Sequence, residues 1–320
     1  MADGLVSRVR AAVFHHVQWN IGIIYEPINV FLEPNAKPVI HWLRSPESDK
    51  CLADPFAIIR NQRTYVFCEE FDYRVLKGRI VVVEIGNGKI LEVRPVIELP
   101  IHVSYPYLLQ DNGQLYCVPE THQAEEIGLY KTVEFPHRWE KVETLVSNFA
   151  GRDSTLFRYK GRWWLTSADA DYRLFIWYAT DLFGPWVPHS SNPVKSGIES
   201  SRPAGTPFVH DGYLYRPAQD CSRTYGGRIV LNRVLRLTPE FKEEAAAFIE
   251  PDPNGPYPEG LHTISAFGDV TFVDGKRMRF VKNAFKRELV LNIQSCWQNV
   301  RTRRQKLAKS NVCIAEFMRN

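Results

Sequence analysis

The chain is poor in several things, and each shortage excludes something. No apolar run reaches the ~18 residues that a membrane-crossing helix needs. Six cysteines, at 51, 68, 117, 221, 296 and 313, form no Cys-x-x-Cys pair, so the usual zinc-site spacing is missing. No Asn-x-Ser/Thr sequon occurs, and the start does not read as a signal peptide. Charge of one sign is scarce too: 40 Lys and Arg against 36 Asp and Glu leave a net +4. A nucleic-acid binder needs a broader basic stripe, and the one basic run, 301–306, reads as a solvated helix face in the tail. No Pro/Ser-rich linker divides the chain. These shortages lead us to expect a cytoplasmic protein with no integral membrane segment, no nucleic-acid partner, no cofactor and no bound metal.

What is present is a hydrophobic share of 44% and an aromatic share of 12%, with many of the aromatics falling in a repeated phrase. Set Asp54, Tyr105 and Asp153 at position zero. An aromatic then stands at plus eleven each time: Tyr65, Tyr116 and Trp164. Gly113 and Gly161 stand at plus eight, and a fourth copy around Ala204 keeps Gly212 and Tyr215 in the same register. A weaker fifth, 265–280, is expected to turn at Asp274-Gly275. A period of roughly 50 residues built from short strands means a closed repeat architecture. Each copy holds β-prone runs around a Gly- or Asn-containing hairpin turn. Further strand-like runs follow at 79–83, 127–130, 174–178 and 228–231. About four strands per repeat make a propeller blade. The expected fold is all-β: a five-bladed β-propeller with short helical or irregular terminal extensions.

Strand content in the fifth repeat ends near Val281, so the last blade needs a partner. The segment 18–25 can supply it, which removes exposed sheet edges. Leu5, Val6, Val9 and Val13 recur at helical spacing and suggest a short packing helix over the first 16 residues. The expected organisation is therefore 1–17 as an amphipathic extension, 18–285 as the propeller and 286–320 as a basic tail. Cys68 and Cys117, on central strands, read as buried thiols.

Innermost strands of a propeller bring their ends to the central axis, so position zero marks a ring facing one mouth. Asp54 and Asp153 occupy it in repeats one and three. A second polar ring falls at plus fifteen and plus sixteen: Glu69 and Glu70, Glu120, Asp169, Gln219 and Asp220. Trp163 and Trp164 belong to one strand and must face opposite sides. The polar, Gly-containing stretch 219–227 has no counterpart in the other repeats and reads as a functional loop.

Ala53-Asp54-Pro55-Phe56, Arg152-Asp153, and the run 181–186 followed by Asn192-Pro193-Val194 resemble the five-bladed propeller glycosidases of the arabinanase/xylosidase and invertase/levansucrase groups. Over 50–275 a closer resemblance holds. Ser104-Tyr105-Pro106-Tyr107, Pro119-Glu120, the runs 201–205 and 216–221, Tyr225-Gly226-Gly227 and His262-Thr263 are similar to the N-terminal domain of plant glucosamine inositolphosphorylceramide transferase. In the glycosidases a first-blade aspartate is base or nucleophile, a third-blade aspartate stabilises the transition state or tunes a pKa, and a fourth-blade glutamate donates the proton. The resemblance implies the first role for Asp54 and the second for Asp153. It departs at the third, because position zero of repeat four is Ala204; Glu199, Glu120 and Asp220 are the candidate donors. A fifth-blade histidine near the axis helps hold a calcium or a water in many of these enzymes, which implies such a place for His262.

Glycosyl transfer passes through a cationic sugar, stabilised by one carboxylate while a protonated one serves the leaving oxygen. The catalytic expectation is thus Asp54, Asp153 and Glu120. Glu70, Tyr105, Arg152, Asp169, Arg202, Gln219, Asp220, Tyr225 and His262 are expected to bind substrate. Arg152 and Arg202 suit a carboxylate or phosphate; Tyr105, Tyr107 and Tyr225 suit sugar faces. The expected partner is a carbohydrate, a glycolipid or a sugar nucleotide. The expected function is cleavage or transfer of a glycosyl group, in polysaccharide or glycolipid synthesis; the alternative is a non-catalytic glycan-binding or accessory module of a glycosyltransferase system.

Overall fold

The computed structural model describes residues 15–280 apart from 45, 46 and 48. Gln18–Arg277 forms one compact unit. The expected helix over the first 16 residues lies outside the described residues except for His15 and His16, which begin a strand. The basic tail also lies outside them. Among the described residues no helix is long and apolar enough to cross a membrane.

The first strands are β1 (His15–Ile24) and β2 (His41–Trp42). The first blade is then β3 (Lys50–Arg60), β4 (Arg63–Asp72), β5 (Lys77–Gly86) and β6 (Lys89–Ile97). The second is β7 (Ser104–Asp111), β8 (Gln114–Glu120), β9 (Glu126–Glu134) and β10 (Arg138–Ser147). The third is β11 (Arg152–Tyr159), β12 (Arg162–Ala168), β13 (Arg173–Ala179) and β14 (Val187–Pro188), with β15 (Lys195–Ser196) also on β13. The fourth is β16 (Phe208–His210), β17 (Tyr213–Asp220), β18 (Arg228–Arg236) and β19 (Lys242–Ile249). The fifth runs β20 (Ile264–Phe267), β21 (Val270–Phe280), then β1 and β2. This is a five-bladed β-propeller closed by its N-terminal strand. Gln18 Oε1 accepts from Arg277 Nε at 3.0 Å and Nη2 at 2.7 Å, and Ile21 and Ile23 join Phe272 in one buried cluster.

The hairpin turns explain the repeat. Asn61-Gln62, Asn112-Gly113, Lys160-Gly161 and Asp211-Gly212 all have positive φ at both residues, the backbone of a type I′ hairpin. The fifth repeat differs from the expectation. Its inner turn is Gly268-Asp269, while Asp274 and Gly275 lie inside β21 and Asp274 is fully buried. An Asp-Gly pair is a strong turn signal, but here the backbone N–H groups of Asp54, His262 and Thr263 claim the aspartate.

Strand parity sorts the core. Trp163 packs with Tyr116, Leu129 and Leu165 on the second-blade side. Trp164 packs with Leu214, Val234 and Leu237 of the fourth blade. Both tryptophans are core residues, as are the thiols of Cys68 and Cys117.

The fourth blade departs from its neighbours near the axis. Ala204 donates its N–H to Pro217 O of β17 at 3.1 Å, and its other side meets the fifth blade: Ile264 N–H donates to Ala204 O at 2.8 Å and Thr206 N–H to Ile264 O at 3.0 Å. Gly205 has φ +126, and a Cβ there would overlap the Ile264 carbonyl. Gly205→Ala is expected to lower stability by more than about 2 kcal/mol, since strain and overlap add. An unchanged urea midpoint would refute this.

Candidate functional site

Position zero is a backbone device before it is a chemical one. Asp54, Tyr105 and Asp153 have φ of 55, 43 and 50, and each lies in a register shift of its inner strand pair. Non-glycine residues avoid this region unless something holds them there. What holds them is a carboxylate of the preceding blade. Asp54 N–H donates to Asp274 Oδ2 at 3.1 Å, Tyr105 N–H to Asp54 Oδ2 at 3.2 Å, and Asp153 N–H to Glu120 Oε2 at 3.0 Å. Between blades three and four, Gln219 Nε2 donates to Asp153 Oδ2 at 2.7 Å, and Arg202 Nε pairs with the same oxygen. Thr263 Oγ1 joins the fifth blade to the first by donating to Asp54 Oδ1 at 2.7 Å. Asp274 Oδ1 takes the N–H groups of His262 and Thr263 at 2.9 and 3.0 Å.

The second ring splits by parity. Glu69, Glu120 and Gln219, all at plus fifteen, act toward the axis. Glu120 pairs with His122 Nδ1 at 2.9 Å and, at 3.7 Å, with both Arg152 and Arg202. The plus-sixteen acids are tied elsewhere. Glu70 pairs with Lys50 and Arg79, Asp169 with Arg173, and Asp220 with Arg228. Glu70–Arg79 and Asp220–Arg228 are directly opposite each other on neighbouring strands, so the structure places Glu70, Asp169 and Asp220 in cross-strand or turn ion pairs rather than with the axial group. Tyr105 is fully buried with its hydroxyl 2.9 Å from Thr155 Oγ1 and its ring edge-on to Phe56. Tyr107 is buried beside the same Phe56. Neither can stack on a sugar, because the inner strands turn both rings into the core between blades. Tyr225 is 44% exposed; it lies 5.3 Å beneath the Arg202 guanidinium and edge-on to His262 and Trp19. Trp19, from the closing strand, stacks on His262 at 4.0 Å.

Glu69 and Asp274 complete this group. Glu69 Oε1 is shielded from solvent and 3.4 Å from His102 Nε2. His102 Nδ1 accepts from Gly78 N–H at 2.9 Å, so a neutral ring carries its hydrogen on Nε2, toward Glu69. Gly78 leaves space for the carboxyl: a Cβ there would overlap Glu69 Oε1. The sequence carried a signal for Glu69, its plus-fifteen register shared with Glu120 and Gln219. None existed for Asp274, whose role depends on ring closure.

The charges are driven apart. Burial first, then the charges of Asp54, Glu120, Asp153 and Asp274, push the Glu69 carboxyl well above the usual carboxylate range. Burial raises Asp153 to about 7; Arg202 pulls the other way and is outweighed with the help of Glu120 and Asp54. Burial also raises Asp54, against the pull of His262. Burial opposes a charged His262, but the Asp274 and Asp54 carboxylates overcome it and raise its pKa. For Glu120, burial is outweighed by the His122 hydrogen bond and the Arg202 and Arg152 guanidinium groups, which hold it at about 2. A depressed carboxylate gives stability that is present above its unfolded pKa, near 4.5, and lost as pH falls toward 2. The shift corresponds to on the order of 3 kcal/mol. Thermal melts of Glu120→Gln should lose that acid limb and lie below the parent at neutral pH. A parent-like acid limb in the variant would assign the effect to another group.

Asp54, His262 and Asp274 bring one ligand atom each within 4.8 Å of one another. Nδ1 of His262 is 2.5 Å and Nε2 3.7 Å from the two carboxylates. A cation fits this donor set poorly, because His262 lies between the two carboxylates and the oxygens of both aspartates already accept N–H or O–H donors.

Three comparisons bear on kinship. A family described as "Glucosamine inositolphosphorylceramide transferase 1, N-terminal" matches residues 33–253. Glucosamine inositolphosphorylceramide transferase 1 of Arabidopsis thaliana is 31% identical over 251 residues, covering 69% of this chain and 33% of that protein. The protein of the same name from Oryza sativa subsp. japonica is 31% identical over 225 residues, covering 66% of this chain and 30% of that protein. The chain thus spans about a third of the length of these relatives. Among solved structures, Zg3597, a family 117 glycoside hydrolase of Zobellia galactanivorans, is similar with a TM-score of 0.50 at 13% identity, covering 82% of this chain and 91% of that one. A thermostable family-43 glycoside hydrolase has a TM-score of 0.50 at 14% identity, covering 69% and 86%. At such identities the two structures speak for the fold alone. The match over 33–253 makes this chain a member of the family of glucosamine inositolphosphorylceramide transferase 1 N-terminal domains.

Proposed function

We propose that this propeller is a carbohydrate-active enzyme that cleaves or transfers a glycosyl group at its axial carboxylates, in glycolipid or polysaccharide synthesis. The observation that carries the reading is the split among neighbouring carboxyls: Glu69 is pushed toward its protonated form while Glu120 is held ionised. Environments that drive carboxyl pKa values apart mark acid and base roles. Asp54 stabilises the sugar cation or activates the attacking oxygen. Glu69 protonates the leaving oxygen, the role that Ala204 cannot fill. Of the donors expected from sequence, Glu120 is held ionised, Asp220 is lowered by Ser222 and Arg228 against the raising effect of burial, and Glu199 is exposed. Asp153, with Arg202, tunes the other two. The relatives' name, a transferase acting on a glycolipid, supports a glycosyl donor and lipid-linked acceptor.

A second reading has its own observation. Both oxygens of Asp54 and one of Asp153 already accept hydrogen bonds that join blades. Carboxylates used this way suit a non-catalytic glycan-binding or accessory module. Screening the protein with furanosyl and pyranosyl aryl glycosides and sugar nucleotides, beside a glycan-binding array, separates the two. Turnover of any donor supports the enzyme. Glycan binding with no turnover across the screen favours the accessory module.

A further inference from the structure

The inner hairpin of the third blade, Tyr159 to Arg162, lies six residues along β11 from Asp153, roughly 20 Å at the strand rise. Between it and the end of β18 is a cavity of about 390 Å³, within the size range of small-molecule sites. Trp164, Val234 and Leu237 supply apolar walls, and Lys160, Arg162 and Arg236 supply cations; no carboxylate lines it. Trp164 is fixed by its Nε1–H bond to Tyr159 O at 3.2 Å.

Three cations converge on this cavity with little acid beside them. Arg173, Arg228 and Arg233 each close on an acid. Among the described residues neither Lys160 nor Arg162 has an acidic partner; their charges lie over rings, 5.2 Å from Tyr159 and 5.6 Å from Tyr178. Arg236 meets only the exposed Glu240, at 3.6 Å. Two uncompensated cations and a third loosely paired, beside a rigid apolar wall, match a dianion carried on a compact apolar or ring-shaped body. A guanidinium fork and an ammonium group both suit phosphate oxygens.

The geometry points to a second binding site, separate from the axial carboxylates, for a small organic phosphate: Lys160, Arg162 and Arg236 hold the phosphate, and Trp164, Val234 and Leu237 receive the body. A phosphate ester in solution and a phosphate in a lipid headgroup share this chemistry. Calorimetric titration with phenyl phosphate should give saturable one-site binding that outcompetes inorganic phosphate. Lys160→Ala/Arg162→Ala should weaken it at least about tenfold, as should raised salt, because exposed ion pairs are screened. Arg94→Ala, on the outer strand of the first blade, should leave it unchanged. Co-sedimentation with vesicles of phosphatidic acid against phosphatidylcholine separates the sources: vesicle binding that needs Lys160 and Arg162, without phenyl phosphate binding, places the phosphate on a lipid. Lys160→Gln serves if the double variant melts below the parent. Binding of neither probe, or equal binding by folded variants, would overturn the proposal.

Discussion

Deleting residues 1–25 is expected to abolish the cooperative unfolding of the propeller rather than fray one blade. The deletion removes β1, and with it Trp19, Ile21, Ile23 and Ile24, all buried. Each such side chain is worth about 1.5–3 kcal/mol when buried. Together they approach the whole margin of a typical domain, about 5–15 kcal/mol. The loss also opens an edge on β21 and takes away the Trp19 ring stacked on His262. Circular dichroism melts provide the check. A truncated protein melting at the parent temperature would show that β1 is dispensable.

Asp54→Asn and Glu69→Gln are each expected to lower kcat/KM on any donor found by at least ~100-fold, the usual cost of removing one group aimed at transition-state charge. Ground-state binding of a neutral sugar should change far less, because only the transition state carries the cation. The two variants should differ in pH dependence. A proton donor with a raised pKa gives a rate that falls as pH rises through that pKa, so Glu69→Gln should lose the alkaline limb while Asp54→Asn keeps it. Asp54→Asn keeps an oxygen to accept from Tyr105 N–H, so its stability loss should be the smaller part of the effect. Full activity in both variants would remove the catalytic roles from these residues.

Most of the fold was legible because the hairpin turns and plus-eleven aromatics obey local rules. A turn with positive φ at two residues wants Asn or Gly, and a buried inner strand wants an aromatic at a fixed distance from it. The closing strand was legible for a related reason, since an apolar run before the first repeat had no other use. The axial group was only half legible. Glu69 and Glu70 are adjacent, and parity alone cannot choose between them when the register shift at Asp54 has already moved the count by one. The shared offset of Glu120 and Gln219 points to Glu69. Asp274 was hidden by its own glycine neighbour. Tyr105 sat at the same offset as two aspartates, yet what the fold repeats there is the backbone conformation, and its ring was free to serve the core.

The pairing of β1 with β21 also sets an order of events during synthesis. Residues 15–24 leave the ribosome before the other strands of the propeller, and their partner strand follows some 250 residues later, about 12–50 s at ordinary elongation rates of about 5–20 residues per second. Throughout that interval an apolar strand is made and unpaired, while the first four blades can form from contacts within themselves. β21, the last of the described strands to emerge, completes the ring, so until then the nascent chain leaves the apolar side chains of β1 without their partner strand. A circular permutant that begins at the linker before β3 and carries β1 at its end would bring the two partners out together, and should refold faster and aggregate less than the natural order.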